Sequence, residues 1–174
     1  MLVPERLINY AIYSGTGARV LLGTSDVTLP KFEAMTESIA GAGMAGELES
    51  VVLGHFKSME LGLKFLVPTR EGIILIQPIM QVLDIRGSTQ QQDPGLGAVS
   101  SAPFRITARG MIRSFDLGKF EPGKKMDSEI KMEIAAIKVV QAGEELIELD
   151  KLNMKFSVLG HDYLASVRAD MGGV

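Results

Sequence analysis

Hydrophobic and polar residues alternate with a period of two along residues 104–115, FRITARGMIRSF. This period predicts a β-strand that turns one face toward water and the other toward a core. The apolar face includes Ile106 and Ile112. The polar face includes Arg105, Thr107 and Arg109.

A second strand of the same kind is predicted over residues 128–140, SEIKMEIAAIKVV, with Glu129, Lys131 and Glu133 on its polar face. The alternation slips after Ala135, so that Ile137 joins the charged face. A β-bulge is one explanation and an apolar partner covering that end is another. The connection, DLGKFEPGKK, contains turn-forming glycines and a proline. We therefore expect a long hairpin over about 104–140.

Strand-like patterns continue on both sides of this hairpin. Residues 144–160 alternate after a QAG turn and end at a GHD turn, which extends the prediction to a meander of about four strands over residues 104–169. Three N-terminal stretches also predict strands: 7–15, 19–33 and 58–68. One helix candidate is TREGIILIQ, residues 69–77, which Thr69 would cap and Pro78 would end, although its run of isoleucines fits a strand equally well.

Residues 36–55 and 87–103 are rich in glycine or in polar residues with glycine and proline. Each of these two stretches is predicted to form a loop. The first contains GAGMAG, residues 41–46, which spells the G-x-G-x-x-G fingerprint of dinucleotide-binding proteins. That fingerprint requires a buried strand before it and a helix after it. The flanking sequences AMTESIA and ELESVVLG fit neither. The favoured interpretation is a loop whose glycines permit positive φ and close backbone approach.

Composition limits the function classes. The chain has 174 residues, which predicts a single domain over 1–174. Its 18 basic and 21 acidic residues leave a net charge of −3, which is no footprint of a nucleic-acid binder. Hydrophobic residues make up 46% of the chain. This indicates either an unusually full core or apolar surface that partner chains cover.

Candidate chemistry is sparse. His55 and His161 have no partner at metal-ligand spacing, and there is no cysteine. Glu129 and Glu133 share one strand face, where ion pairing is the favoured interpretation over acid–base catalysis. The N-terminus lacks the pattern of a signal peptide, and no apolar run is long enough to span a bilayer. We expect a chain that is not an enzyme and has no catalytic residue, metal, cofactor or membrane partner.

Several ordered stretches resemble the major tail tube protein of contractile-tailed phages. The resemblance covers nearly the whole chain except about 70–103, where the family tends to have a helix followed by a strand. The stretches are VTLPKFE (27–33), GAGMAGELE (41–49), MELGLKF (59–65), ARGMIRSFDLGKFEPG (108–123), EIKMEIAAIKV (129–139) and ELIELDKLNMKFSVLGHDYLASVRADMG (145–172).

The resemblance implies a mainly β domain of tail-tube fold, a β-sandwich or barrel with one short helix. It further implies hexameric rings that stack into a tube, with DNA passing through the lumen without specific binding. The implied partners are further copies of the chain and the tail sheath, tape measure, baseplate and tail terminator proteins. The implied location is the virion tail, assembled in the cytoplasm of the host bacterium.

At the level of residues, the resemblance and the alternation together suggest a lumen face and a contact between subunits. The lumen-facing candidates are Arg105, Thr107, Arg109, Glu129, Lys131 and Glu133. The candidates for the inter-subunit loop are Gly41, Ala42, Gly43, Met44, Ala45, Gly46, Glu47 and Leu48. The alternatives are the tube of a tail-like bacteriocin or secretion device, a small ligand-binding β-barrel and, last, an enzyme.

Overall fold

The computed structural model describes residues 2–15, 20–41 and 43–173, which are mostly β-strand. In chain order the elements are β1 (Val3–Ser14), β2 (Val20–Leu22), β3 (Asp26–Thr28), β4 (Ala34–Ile39), β5 (Leu48–Phe56), β6 (Glu60–Phe65), α1 (Arg70–Ile74), β7 (Gln81–Asp93), β8 (Ala98–Asp116), β9 (Ser128–Gln141), β10 (Glu144–Asp150), β11 (Lys155–Val158), β12 (His161–Asp162) and α2 (Ala165–Asp170). The predicted mainly β fold is confirmed. The sequence did not predict α2, which has no side-chain N-cap to mark its start.

Strand β9 is the centre of the larger sheet. One edge of β9 pairs with β8, while its other edge pairs with β10 over residues 136–141 and with β6 over residues 128–133. Among the described residues this sheet has ten strands. Eight follow the order β12-β11-β10-β9-β8-β7-β1-β2, and the other two, β6 and β3, branch from it, because β6 pairs with β9 and β3 pairs with β6. The consecutive pairing of β8 through β12 confirms the predicted C-terminal meander.

The apolar face of this sheet encloses the hydrophobic core. Side chains from β1, β2, β6, β7, β8, β9 and β10 meet in one buried cluster with Leu75, which follows α1. Thr69 caps α1 as predicted, because its Oγ1 accepts a hydrogen bond from the amide of Gly72 over 3.1 Å. A Cβ at Gly72 would stand 3.3 Å from the ring of Phe65, so the glycine lets α1 approach the core closely.

The slip in the β9 pattern is a β-bulge. Arg109 pairs with Ala136 and Gly110 pairs with Ile134, which leaves Ala135 as the extra residue. The bulge restores the alternation, so Ile137 is buried among the core residues rather than on the charged face, where the sequence had placed it.

Residues 87–103 form paired strands, not the predicted loop. Strand β7 pairs with β8 from Gln81 to Asp93, and a short turn at residues 94–97 joins them. Gly87 lies within the strand, where a Cβ would come within 2.9 Å of the Leu7 side chain. Gly87 lies within a paired strand rather than a turn, so its presence was a misleading signal and the loop prediction was wrong.

The stretch 36–55, predicted as an irregular loop, contains most of a second, two-stranded sheet. Strands β4 and β5 pair from Thr36 with Val51 to Ile39 with Leu48, and residues 40–47 connect them. Ala42 lies outside the described residues. Because β5 follows the GAGMAG stretch where a dinucleotide-binding turn requires a helix, the structural context of that fingerprint is missing.

Candidate assembly surfaces

The first candidate surface is the polar face of the large sheet, opposite the core. The predicted residues Arg105, Thr107 and Arg109 lie here on β8. Their neighbours in register are Arg86, Asp84 and Val82 on β7, and Val140, Lys138 and Ala136 on β9. We call the polar face of β7, β8, β9 and β10 the polar wall.

Glu129, Lys131 and Glu133 occupy the same face nearer the other end of β9. They pair with Lys64, Gly62 and Glu60 of β6 rather than with β10. The six predicted residues therefore share a face but form two groups, separated along β9 by the bulge at Ala135.

Ion pairs join many charges on the polar wall, within β7 and across strands. Nε and Nη2 of Arg105 donate to the two carboxylate oxygens of Asp84 over 2.6 and 3.1 Å. Further pairs join Arg86 to Asp84 over 2.9 Å, Arg109 to Asp150 over 3.1 Å and Lys138 to Glu145 over 2.6 Å. The wall thus carries both signs of charge in close pairs, although Arg86 and Arg105 lie directly opposite each other.

Asp84 is the most deeply buried charge of this network, with only 4% of the residue exposed. Burial raises the pKa of its carboxyl, but hydrogen bonds and attraction from Arg105 and Arg86 outweigh burial, and the net effect lowers the pKa. The sequence analysis did not single out Asp84. The only available signal was a lone acid in the apolar run VLDI, next to an Arg two positions later.

In the group that contains Glu129, Lys131 and Glu133, Glu133 is hydrogen-bonded to the loop before β6. Its carboxylate accepts hydrogen bonds from Ser58 Oγ over 2.6 Å and from the amide of Met59 over 3.2 Å. Burial raises the pKa of Glu133, but these hydrogen bonds and the cations of Lys151 and Arg113 lower it overall. Lys131 pairs with Glu60 over 3.3 Å.

The second candidate surface is a pair of open strand edges. Strand β1 pairs with β2 only from Ile12 to Ser14, so residues 3–11 have a strand partner on one side alone, β7, within the described part of the chain. Strand β8 meets β9 only from Phe104 onward, so residues 98–102 likewise pair with β7 alone. Strands β1, β7 and β8 form a three-stranded ribbon with β7 in the middle, and the two open edges are its two outer sides.

Apolar side chains are exposed along the open edge of β1. Leu7 and Ile8 are each about half exposed, at 51% and 53%. An apolar groove of about 300 Å³ lies across β1, β7 and β8, and its lining includes Leu7, Tyr10 and Phe104. An unpaired edge with exposed apolar residues is a site at which another strand can add.

The third candidate surface is the β4–β5 hairpin. Exposed apolar side chains cover it, including Met35, Ile39, Leu48, Val51 and Leu53. Of the predicted loop residues, Gly41 and those from Gly43 to Leu48 are exposed, and Gly43 has a φ of +96° that favours glycine. A two-stranded hairpin is marginally stable by itself in water, so this one depends on contacts at its base or with other chains.

An aromatic cluster anchors the base of the hairpin. Phe56 meets Phe156 edge-on with ring centroids 5.0 Å apart, and Phe32 packs against Phe56 at 6.0 Å. The row continues from Phe156 to Tyr163 at 5.9 Å. These contacts connect β5 to the C-terminal meander and leave the tip of the hairpin projecting.

Within residues 2–15, 20–41 and 43–173, no group of three or more His, Asp and Glu side chains is arranged to hold a metal ion. The ring of His161 packs against Tyr163 with centroids 4.7 Å apart, and His55 is exposed on β5. No helix in these ranges is both long and apolar enough to cross a membrane.

Comparison with known proteins gives two matches. The sequence profile of the family described as "Phage tail tube protein FII" matches residues 4–172. The chain is also 30% identical over 151 residues to the "Tail tube protein" of Escherichia phage P2, a match that covers 84% of this chain and 85% of that protein.

Proposed function

This chain belongs to the phage tail tube protein FII family, and from that premise we propose that it forms hexameric rings that stack into the inner tube of a contractile tail. The tube conducts DNA into the host through its bore. The subunit meets the sheath, tape measure, baseplate and tail terminator proteins, and it assembles in the host cytoplasm before it becomes part of the virion.

The two open edges of the β1–β7–β8 ribbon are the observation that carries this proposal. Residues 3–11 of β1 in one copy can pair with residues 98–102 of β8 in the next. The two edges are different surfaces of the same chain, so the contact is head-to-tail. Repeated by rotation, a head-to-tail contact closes a ring with a continuous sheet, and it also covers the exposed Leu7 and Ile8.

The polar wall lines the bore in this arrangement, because the core occupies the other face of the same strands. Arg105, Thr107 and Arg109 then face water and passing DNA, as do Glu129, Lys131 and Glu133 nearer the other end of β9. Tight DNA binding requires many Lys and Arg side chains that are free to contact phosphates. Cross-strand ion pairs such as Arg109 with Asp150 reduce that number, which suits a conduit through which DNA must slide.

The β4–β5 hairpin makes the contact between stacked rings. Its described tip residues, 41 and 43–48, are all exposed, and Leu48 is 58% exposed. Burial of such side chains against a second ring stabilises the stack by about 25 cal/mol for each Å² of apolar surface removed from water.

Variants of the β1 edge test the proposal. The full chain, concentrated after purification, should form rods with a central channel in negative-stain electron microscopy. Ile8→Lys should prevent rods, because it places a charge in the joint between copies. Leu152→Lys, at a site 65% exposed in a turn outside the ribbon, is the matched control and should leave rods intact. Normal rods from Ile8→Lys would contradict ring closure through this edge.

A further inference from the structure

Two like charges face each other across β7 and β8. Arg86 and Arg105 are directly paired in register on the polar wall. Like charges directly opposite on a sheet destabilise it. Asp84 lies two positions before Arg86 on the same face and accepts hydrogen bonds from both guanidinium groups, at 2.9 Å from Nε of Arg86 and 2.6 Å from Nε of Arg105.

From this arrangement we propose that Asp84 is the residue that prevents the polar wall from retaining DNA, by holding Arg86 and Arg105 so that neither can grip a phosphate. The inference rests on the proposed function, in which this wall lines a DNA conduit. It adds a named residue and a mechanism to that function.

The geometry of Arg105 is the first support. An arginine binds a phosphate most strongly through two parallel N–H groups. In Arg105, Nε and Nη2 donate to the two oxygens of the Asp84 carboxylate at 2.6 and 3.1 Å. One of the two bidentate edges of the Arg105 guanidinium is therefore already occupied, and the Asp84 charge offsets the attraction of its remaining donors for a phosphate.

The second support is that Asp84 is buried whereas its partners are not. The side chain of Asp84 is 5% exposed, while those of Arg86 and Arg105 are 41% and 46% exposed. If the two guanidinium groups left Asp84 to bind a DNA phosphate, the buried carboxylate would keep its charge without a partner. An unpaired buried charge is strongly unfavourable in free energy. The ring of Tyr13, with its centroid 5.7 Å from the Arg86 guanidinium carbon, adds a further contact that holds Arg86 in place.

Asp84 differs from Asp150, another acid of the wall, because it forms ion pairs with two arginines. Within the described residues Asp150 forms an ion pair with one arginine, Arg109, and it also accepts hydrogen bonds from Leu152 and Asn153. Loss of the Asp84 charge releases two guanidinium groups in each copy. A ring repeats that change around the bore, where phosphate contacts add up.

The test uses the purified full chain and a fluorescein-labelled 20-base-pair DNA duplex, with binding followed by fluorescence anisotropy from 50 to 200 mM salt. Asp84→Asn keeps the shape of the side chain and removes its charge. Two new phosphate contacts should steepen the slope of log K against log salt by about 1.8, equivalent to about 10-fold more affinity lost across this range. Asp127→Asn is the matched control, because it removes the same charge from an exposed loop, at a φ of +54° that asparagine tolerates.

Equal slopes for Asp84→Asn and Asp127→Asn would overturn the inference. Should Asp84→Asn not fold, as judged by circular dichroism, Arg105→Gln decides. A held arginine contributes no phosphate contact, so Arg105→Gln should bind the duplex with the wild-type slope. A slope smaller by about one would show that Arg105 already contacts DNA, which also overturns the inference. Negative-stain images of the same samples test tube formation separately, so failure of the tube and failure of the Asp84 mechanism give different results.

Discussion

Gly54 lies directly against Leu164. A Cβ atom at residue 54 would come within 2.6 Å of both methyl carbons of the Leu164 side chain. The φ of Gly54 is +69°, a conformation that residues with a Cβ rarely adopt. Gly54 lies in the irregular stretch of β5 between the Ala34–Phe56 and Thr36–Val51 pairs, close to where the hairpin joins the rest of the domain.

Gly54→Ala should therefore destabilise the fold by about 1–3 kcal/mol, because it combines overpacking with backbone strain. Urea unfolding followed by circular dichroism measures the change. Gly46→Ala is the control, since no atom lies within 4 Å of a Cβ at that position. Equal stability of the two variants would show that the Leu164 contact does not constrain the hairpin.

The paired residues Ile39 and Leu48 are predicted to act in stacking and not in folding. Both are about half exposed, at 47% and 58%, near the tip of the hairpin. The double variant Ile39→Asp/Leu48→Asp should keep the wild-type melting temperature within a few degrees but form rings that do not stack. Rod length in negative stain is the measurement. Leu159→Asp, at a site 65% exposed elsewhere, is the control, and full-length rods from the double variant would disprove the role.

Thr69 should contribute about 1 kcal/mol to stability as the N-cap of α1. Thr69→Ala removes the oxygen that accepts a hydrogen bond from the amide of Gly72, while Thr69→Ser keeps one. Urea titration of both variants should show a loss for alanine and little change for serine. A serine variant as unstable as the alanine variant would point to the lost methyl group instead of the cap.

Stability should fall in acid because Asp84 and Glu133 have lowered pKa values in the folded chain. A carboxyl whose folded pKa lies below its unfolded pKa stabilises the fold above the unfolded value, which is about 3.9 for Asp and 4.3 for Glu, and this contribution disappears as the pH falls through the folded pKa. These two groups should therefore have little effect on the melting temperature between pH 7 and pH 5. At pH values below about 4, the melting temperature should fall.

Glu133→Gln isolates one of these contributions. The variant should be less stable than wild type at pH 7, and the difference should shrink below about pH 4, where the wild-type carboxyl also becomes neutral. Glu144→Gln, at the exposed first residue of β10, is the control. A difference between Glu133→Gln and wild type that stays constant from pH 7 to 3 would contradict an ionised role for Glu133.

Local alternation was sufficient to predict the central strands of this protein. The period of two in residues 104–115 and 128–140 placed Arg105, Thr107 and Arg109 on one face, and the structure has them there. The cap at Thr69 was also recognisable, because it depends only on residues three positions apart. These features are set by neighbours along the chain, and a sequence displays such neighbours directly.

Pairing between distant strands decided the rest. Residues 87–103 looked like a loop because polar residues and glycines hide the period, yet β1 and β8 supply partners that make β7 a strand. The bulge at Ala135 returned Ile137 to the core, and the fold brought Asp84 to Arg105, 21 residues away. A sequence pattern shows which way a side chain points within its own strand, but not which strand lies beside it, because that choice depends on the packing of the whole core.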